Sequence, residues 1–461
     1  MNKDENNTLP KSWAKGQLND IVCSVKTGIG EYKGSKNYYS TGSINNHSSV
    51  PTGCYTFQSR PSRANRISHI NDVFQARMKE TSKALLIDEG LAGELFSTGF
   101  IQIRPYSDTY YPKLLYYFIQ SNDFLHQRDE LATGSTQEAL TDRNSKKLLI
   151  PLPPLNEQKR IAAKLDKIIP KINVLRKRLD LIPQIIKRFR QSVLTAAVTG
   201  KLTEKWRKKH KLNIKWEYTI LEKIIIEGPQ NGLYKPQKFY GSGYLIVRID
   251  NFYDGVINSW DTVKRIELNK NELKTYALQN GNIIINRVNS MTYLGKSALV
   301  RNLSEECVFE SNMMRIKINL ERGNPEYLIK YLNSQQGLNV LRKNAKHAVN
   351  QSSINQQDVK AVIIPLPPLE EQREIVRQIN KLFAFADKLE AHYNKAKGKI
   401  DKLPRSVLAK TFRGELVPQN PNDEPASELL KRIIAEKEKR RAEIKKTKKR
   451  NVKSTAQKKG N

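Results

Sequence analysis

Apolar residues recur at alternating steps of four and three along two long stretches of this chain. In the first they fall at Ile161, Leu165, Ile168, Ile172, Leu175, Leu179, Ile182, Ile186, Phe189, Val193 and Ala196. In the second they fall at Ile375, Ile379, Leu382, Ala386, Leu389, Tyr393, Ala396, Ile400, Leu403 and Val407. A mean spacing near 3.5 residues keeps one apolar stripe facing a partner helix and favours a left-handed coiled coil. Each arm of roughly forty residues would be about 60 Å long as a helix. Two such arms in one chain predict an antiparallel pair. Pro170 and Pro183 in the first arm and Pro404 in the second are expected to kink or break it, because proline removes an intrahelical donor.

Both arms begin with the same six residues. IPLPPL spans Ile150–Leu155 and returns at Ile364–Leu369, each time followed by an acidic-Gln pair, in NEQKRIAAKLDK and EEQREIVRQINK. Further on, QSVLTAAVTGKL from Gln191 answers RSVLAKTFRGEL from Arg405, at the same offset of 214 residues (364 minus 150; 405 minus 191). A register kept without insertion implies two structurally equivalent arms.

The stretches before the arms alternate short strand-like runs with Gly, Ser and Asn clusters and repeat more loosely. KGQLNDIVCSV and INDVFQARM read as short strands, TGSTQEAL from Thr133 as a polar loop, and PKLLYYFIQSNDF as a helix opened by Pro112. NDVFQAR at Asn71 lines up with GNIIINR at Gly281, and PKLLYYFIQS at Pro112 with PEYLIKYLNS at Pro325. The expected fold class is therefore α+β: two pseudo-repeated α/β reader domains, 1–149 and 212–363, separated by two long helices that form an antiparallel coiled coil. The arms occupy 150–211 and 364–417. Residues 418–461 are expected to form a short helix, with Leu429, Leu430, Ile433 and Ile434 on one face, and a basic, partly disordered tail. Readers that diverge while arms match suggest that the readers meet different things.

The net charge of +34 points to a polyanionic partner. The last 31 residues supply +11 of it (14 basic minus three acidic), so most of the excess belongs to the body. Three scattered cysteines, Cys23, Cys54 and Cys307, argue against a disulfide framework and a thiolate zinc site. The N-terminus has no signal-peptide pattern and no apolar run approaches a membrane span, so a cytoplasmic protein is expected.

Catalytic motifs are missing. The six histidines have no partner at metal-ligand spacing, so no metal site is expected. GKS at Gly295 lacks the earlier glycine of a phosphate-binding loop, since position 290 is Ser290. Clustered nuclease carboxylates, a methyltransferase signature and NTP-hydrolysis motifs are likewise not found. What remains is a binding constellation. Arg can bond guanine O6 and N7, and Asn can bond adenine, so Arg and Asn on loops suit base readout, with Lys serving phosphates. In the first reader the candidates are Arg60, Arg63, Asn65, Arg66, Arg77 and Lys79; in the second they are Lys235, Lys238, Arg248, Asn251, Arg287 and Asn289.

On IPLPPLNEQKRI at Ile150, QSVLTAAVTGKLTEKWR at Gln191, IPLPPLEEQREI at Ile364, SVLAKTFRGEL at Ser406 and EPASELLKRI at Glu424, the chain resembles the specificity subunit of type I restriction-modification enzymes. The resemblance covers nearly the whole chain. It implies two target-recognition domains, each reading one half of a bipartite double-stranded DNA site, with the coiled coil setting the spacer and docking two methyltransferase subunits. Restriction and translocase subunits would join for cleavage. It implies no catalysis and no cofactor in this chain, S-adenosylmethionine in the methyltransferase partners, and ATP and Mg in the motor partners. The setting would be the nucleoid of a bacterial or archaeal cell. The alternative from charge and heptads alone is an architectural coiled-coil protein that binds nucleic acid without sequence preference.

Overall fold

The computed structural model describes residues 9–45, 48–106, 109–135, 137–212, 215–348, 351–435 and 437–439. The chain divides into two compact units, one of residues 1–179 with 396–461 and one of residues 180–395.

In the first unit, strand Ala14–Gln17 pairs antiparallel with Leu149–Leu152, which carries the first IPL run. KGQLNDIVCSV is not one strand: a single helical turn, Leu18–Ile21, separates Ala14–Gln17 from Val22–Ser24 and sinks Leu18 and Ile21 into the core. Val22–Ser24 then opens an antiparallel sheet in the order Val22–Ser24, Phe100–Pro105, Val73–Ala76, Ala84–Leu86. A second sheet runs Gly53–Tyr55, Lys36–Tyr39, Leu95–Ser97, Ala64–Ile67, with its two middle strands parallel. Phe74 of the first sheet stacks on Phe96 of the second at 4.3 Å, and Tyr39 covers the other side of Phe96 at 5.0 Å. Helices Pro112–Phe118 and Asn122–Glu130 close the unit. Pro112 opens the first helix, where a missing N–H costs nothing, and the Ser121 hydroxyl caps the second by accepting from Phe124 N at 3.3 Å.

The second unit repeats this plan. Glu217–Ile220 pairs with Ile363–Leu366, the second IPL run. One sheet holds Ile225–Asn231, Met313–Ile318, Ile283–Asn286 and Ser297–Leu299 in that order, extended by two short strands at Val256–Ile257 and Phe252–Tyr253. Ile283–Asn286 is buried at every position, with three isoleucines in succession before the polar Asn286. The other sheet runs Lys264–Ile266, Tyr240–Val247, Cys307–Phe309, again with one parallel pair. Helices Pro325–Leu332 and Gln335–Leu341 follow, with Ser334 as the cap. The α+β class with two pseudo-repeated readers is thus the observed fold.

The first arm is two helices, Leu155–Leu179 and Ile182–Val198; the second is one helix, Leu369–Phe412. In the first unit, Leu155–Leu179 runs antiparallel to the end of Leu369–Phe412, with Arg176 donating to Asp401 at 3.0 Å and Phe118 edge-on to Phe412 at 5.0 Å. In the second unit, Ile182–Val198 lies antiparallel to the start of the same long helix, with Arg190 bonded to Asp387 (2.6 Å) and Glu390 (2.9 Å). Pro183 sits in the first turn after the break. Pro170 and Pro404, expected to kink or break the arms, lie inside continuous helices.

The seam is uneven. Ile161, Leu165, Ile172, Ile186, Ile375 and Ile379 are buried, whereas Ile168, Leu179, Ile182, Leu382 and Ile400 are half-buried. Leu175 (46 % exposed), Leu389 and Leu403 stand open to solvent. Periodicity places all of them on one stripe, but burial is deepest where reader residues add cover. Ile161 and Leu165 belong to the same core as Leu114, Leu115 and Phe118, whereas a two-helix stretch leaves the flanks of its stripe wet.

The duplicated acidic-Gln pairs sit where arm meets reader. Glu157, buried, accepts from Trp13 Nε1 (3.0 Å) and Gln419 Nε2 (2.7 Å). Glu371, also buried, accepts from Trp216 Nε1 (3.0 Å), Thr203 Oγ1 (2.6 Å) and the Arg207 guanidinium. Gln158 accepts from Tyr111 N at 2.7 Å and donates to Pro153 O at 2.9 Å; Gln372 accepts from Asn324 N at 2.7 Å and donates to Pro367 O at 2.7 Å. Each glutamine also donates to a second reader carbonyl, Thr109 O or Arg322 O at 3.2 Å, and therefore satisfies two reader backbone groups and one carbonyl of its own LPP bend. Gly200 and Gly414 end the helices beyond, with φ of +76° and +78°, a backbone that side-chain-bearing residues rarely adopt. Residues 426–435 form the expected short helix: Leu429 and Ile433 enter the first unit's core and Leu430 packs on it, while Ile434 stays exposed. Arg160 holds this segment through Asp423 at 2.6 Å. The tail from 440 lies outside the described residues.

Candidate nucleic-acid interface

The basic loop residues of the two readers are exposed to different degrees. In the first reader, Arg63 is exposed, and its carbonyl accepts from Thr98 N at 2.8 Å, which seats it beside the turn between strands Leu95–Ser97 and Phe100–Pro105. The Asn65 carbonyl takes Gly28 N at 3.0 Å, tying the loop with exposed Lys26 and Lys33 to the loop with Arg60 and Arg63. Arg60 lies over the Phe57 ring at 3.9 Å and donates to the Phe57 carbonyl, while Phe57 meets Tyr32 edge-on at 5.7 Å. Aromatic rings beside guanidinium groups form a surface suited to a nucleic-acid backbone and its bases.

Three candidates of this reader have other partners. Arg66 is only 1 % exposed; its Nη1 donates to Val25 O at 2.7 Å and its Nη2 lies 3.6 Å from Asp142. Burial, reinforced by neighbouring Arg77, pushes its pKa down to about 10. Arg77 spends its fork on Phe100 O (2.9 Å), Leu140 O (3.2 Å) and Asp142. Lys79 pairs with Glu138 at 2.6 Å. As placed, Arg66 and Arg77 tie strand Val73–Ala76 and its surroundings to the loop at Leu140–Asp142, and the unpartnered Nε and Nη2 of Arg66 are buried and do not face solvent.

In the second reader, Lys235 donates to Glu267 O (2.7 Å) and Glu272 (2.6 Å), whereas Lys238 is exposed above Phe239 at 5.1 Å. Asn251 uses its side chain to accept from Arg248 N at 2.7 Å, and the Asn289 side chain accepts from Ser290 N at 2.7 Å. Arg287 donates to Ser311 O at 3.2 Å and lines a cavity of about 420 Å³ with Asn231, Asn355 and Lys360. Arg248 stands beside Glu310, one residue before Ser311. The fold thus brings Arg248 and Arg287, 39 residues apart (287 minus 248), to neighbouring residues Glu310 and Ser311.

Glu310 escaped the sequence reading because a carboxylate in CVFES carries no signal of its own; only strand pairing sets it against Arg248. Tyr234, 79 % exposed, was missed because a lone tyrosine after Asn-Gly reads as a turn. Among the described residues no cluster of His, Cys, Asp and Glu could hold a metal ion, and no helix is long and apolar enough to cross a membrane.

The model of the type I restriction modification DNA specificity domain matches residues 10–184 and 230–396, one copy over most of each reader with adjoining arm. The chain belongs to this family. It is 33 % identical over 335 residues to the EcoKI specificity subunit of Escherichia coli strain K12, covering 70 % of this chain and 71 % of that one. To the StySPI specificity subunit of Salmonella potsdam it is 34 % identical over 337 residues, covering 71 % and 72 %. Its fold is similar to that of the HsdS subunit from Thermoanaerobacter tengcongensis, with a TM-score of 0.60, 22 % identity and coverage of 88 % and 98 %. It is also similar to a chain solved in work on complex assembly and conformational transition of the type I R-M system, with a TM-score of 0.69, 22 % identity and coverage of 89 % and 100 %. As a specificity subunit, a family member contributes DNA recognition and not catalysis.

Proposed function

We propose that this chain gives a type I restriction-modification complex its DNA sequence, with the domain at 1–149 reading one half of a bipartite site and the domain at 212–363 reading the other. The arms, 150–211 and 364–417, set the unspecified spacer and dock two methyltransferase subunits. Those subunits would bind S-adenosylmethionine and methylate adenine; restriction subunits using ATP and Mg would complete the complex in the cytoplasm, at the nucleoid. Exposed Arg63 and Lys238 and half-buried Arg60 and Arg248 are the proposed DNA contacts among the sequence candidates.

One observation carries the reading. The tryptophan-glutamate contact of the arm junction repeats, Trp13 on Glu157 and Trp216 on Glu371 both at 3.0 Å, while the readers share Arg77 and Arg287 at one equivalent position and differ at Arg248 and Glu310, which replace Ser40 and Ser97. Equal junctions suit equal protein partners, and unequal readers suit unequal half-sites. Single-molecule mapping of methylated adenine in the native host, with the gene intact and deleted, tests it: one split motif with a fixed gap should vanish on deletion. Exchange of residues 1–149 for another reader should then change one half of the motif alone. An unchanged methylome despite expression would reject the proposal.

A further inference from the structure

The parallel strands Tyr240–Val247 and Cys307–Phe309 end side by side, Val247 opposite Phe309. The next residue of each is charged: Arg248 on one, Glu310 on the other, with Glu310 N bonded to Val247 O at 3.0 Å. Asn251 fixes the Arg248 backbone, and the Tyr240 ring lies 5.9 Å below the guanidinium. Two opposite charges are thus held in place at the ends of adjacent strands.

They do not close on each other. Arg248 Nε stands 3.6 Å from Glu310 Oε1, beyond hydrogen-bond length, and buried Arg248 Nε and Glu310 Oε2 have no hydrogen-bond partner. Elsewhere in the same domain the exposed Arg265 and Glu305 close into a two-bond fork at 2.9 and 3.0 Å. Burial pushes the Glu310 carboxyl up, ahead of the opposing effect of Arg248. Their side chains are 27 % and 17 % exposed, so an unclosed cation and carboxylate stand side by side, with their unpartnered atoms covered in the free chain. A G·C pair offers the complement in the major groove: acceptors at guanine O6 and N7, and a donor at cytosine N4.

We propose that Arg248 and Glu310 together read one G·C pair of the half-site recognised by the second domain, Arg248 bonding guanine and Glu310 accepting from the cytosine amino group. The inference rests on the specificity-subunit reading above. By strand register the counterparts in the first reader are Ser40 and Ser97, both neutral, so this readout belongs to one half-site alone. Tyr240 is a positioning residue, holding the guanidinium in plane.

The test is the adenine-methylation motif written in the host by the full chain and by its Glu310→Ala, Glu310→Gln and Arg248→Lys variants. Expected is relaxation at a single C·G position of one half, with preference there falling roughly 5- to 150-fold, while the gap and the other half stay fixed. A motif unchanged at every position in the three variants would overturn the inference, as would a second half-site without any G·C pair. If Glu310→Ala abolishes methylation altogether, the nearly isosteric Glu310→Gln decides: one relaxed position supports the readout, and complete loss again rejects it. A methylome unaffected by deletion of the gene would overturn the specificity reading, and this inference with it.

Discussion

Replacing Glu371 by alanine should unfold the second unit at a markedly lower temperature. The carboxylate is fully buried and is the common acceptor for the Trp216 indole, the Thr203 hydroxyl and the Arg207 guanidinium. Removing it leaves the buried Thr203 hydroxyl, which still accepts from Arg207 at 3.1 Å, without an acceptor for its own hydrogen, and leaves a largely buried cation without its counter-charge. Each unsatisfied buried group costs about 1–3 kcal/mol, and breaking a buried ion pair from one side costs about 3–5 kcal/mol. Arg207 keeps a bond to Gly200 O at 2.8 Å and some solvent contact, so about 4 kcal/mol is expected in total. The unit comprises 216 residues (395 minus 180, plus one), and domains of that size lose roughly 2–4 °C per kcal/mol. The transition of this unit should therefore fall by about 8–16 °C. Differential scanning calorimetry of the full chain would show it as the displacement of one transition. Glu371→Gln should lie between wild type and alanine, because it retains an acceptor but not the charge facing Arg207. A shift below about 4 °C for Glu371→Ala would refute the claim that this carboxylate organises the junction.

At the equivalent position the partners are neutral donors, Trp13 and Gln419, and burial is the leading cause that raises the Glu157 pKa above its ordinary 4.5. A carboxyl that holds its proton more tightly when folded stabilises the fold below its native pKa. Stability from this group should decline as pH rises from about 4.5 through the raised value, and Glu157→Gln should flatten that slope in urea titrations at stepped pH; an unchanged slope would count against it. Along the seam, Leu165→Ala should cost about 2–5 kcal/mol and exposed Leu175→Ala under about 1 kcal/mol, measured by chemical denaturation; equal costs would restore the uniform heptad picture. Arg66→Met replaces a buried cation with two unpartnered nitrogens by an apolar chain, so the first unit should keep or raise its melting temperature. Arg63→Ala should leave stability within about 0.5 kcal/mol and lower the salt slope of DNA binding by about one. Loss of more than about 2 kcal/mol in Arg66→Met would show the guanidinium to be a required strut.

Repetition and periodicity were readable without coordinates. The two IPLPPL runs, their acidic-Gln pairs and the 3–4 spacing fixed the number of modules, the helical arms and their pairing, because a repeat is written in residue identity and an amphipathic stripe in spacing. The function of those acidic-Gln pairs was not readable: Glu157 and Glu371 acquire Trp13 and Trp216 only through contacts 144 and 155 residues distant in the chain. Burial along the stripe was likewise a tertiary matter, since spacing says which face Leu165 and Leu175 share and only the neighbouring reader decides which of them is covered. Among the basic residues, sequence could not separate Arg63 from Arg66. Their chemistry is the same, and strand Ala64–Ile67 turns alternate side chains inward, so one guanidinium faces solvent while the other is spent inside the fold. Arg248 and Glu310 are brought together by a parallel strand pairing, the kind of long-range register that local composition does not encode.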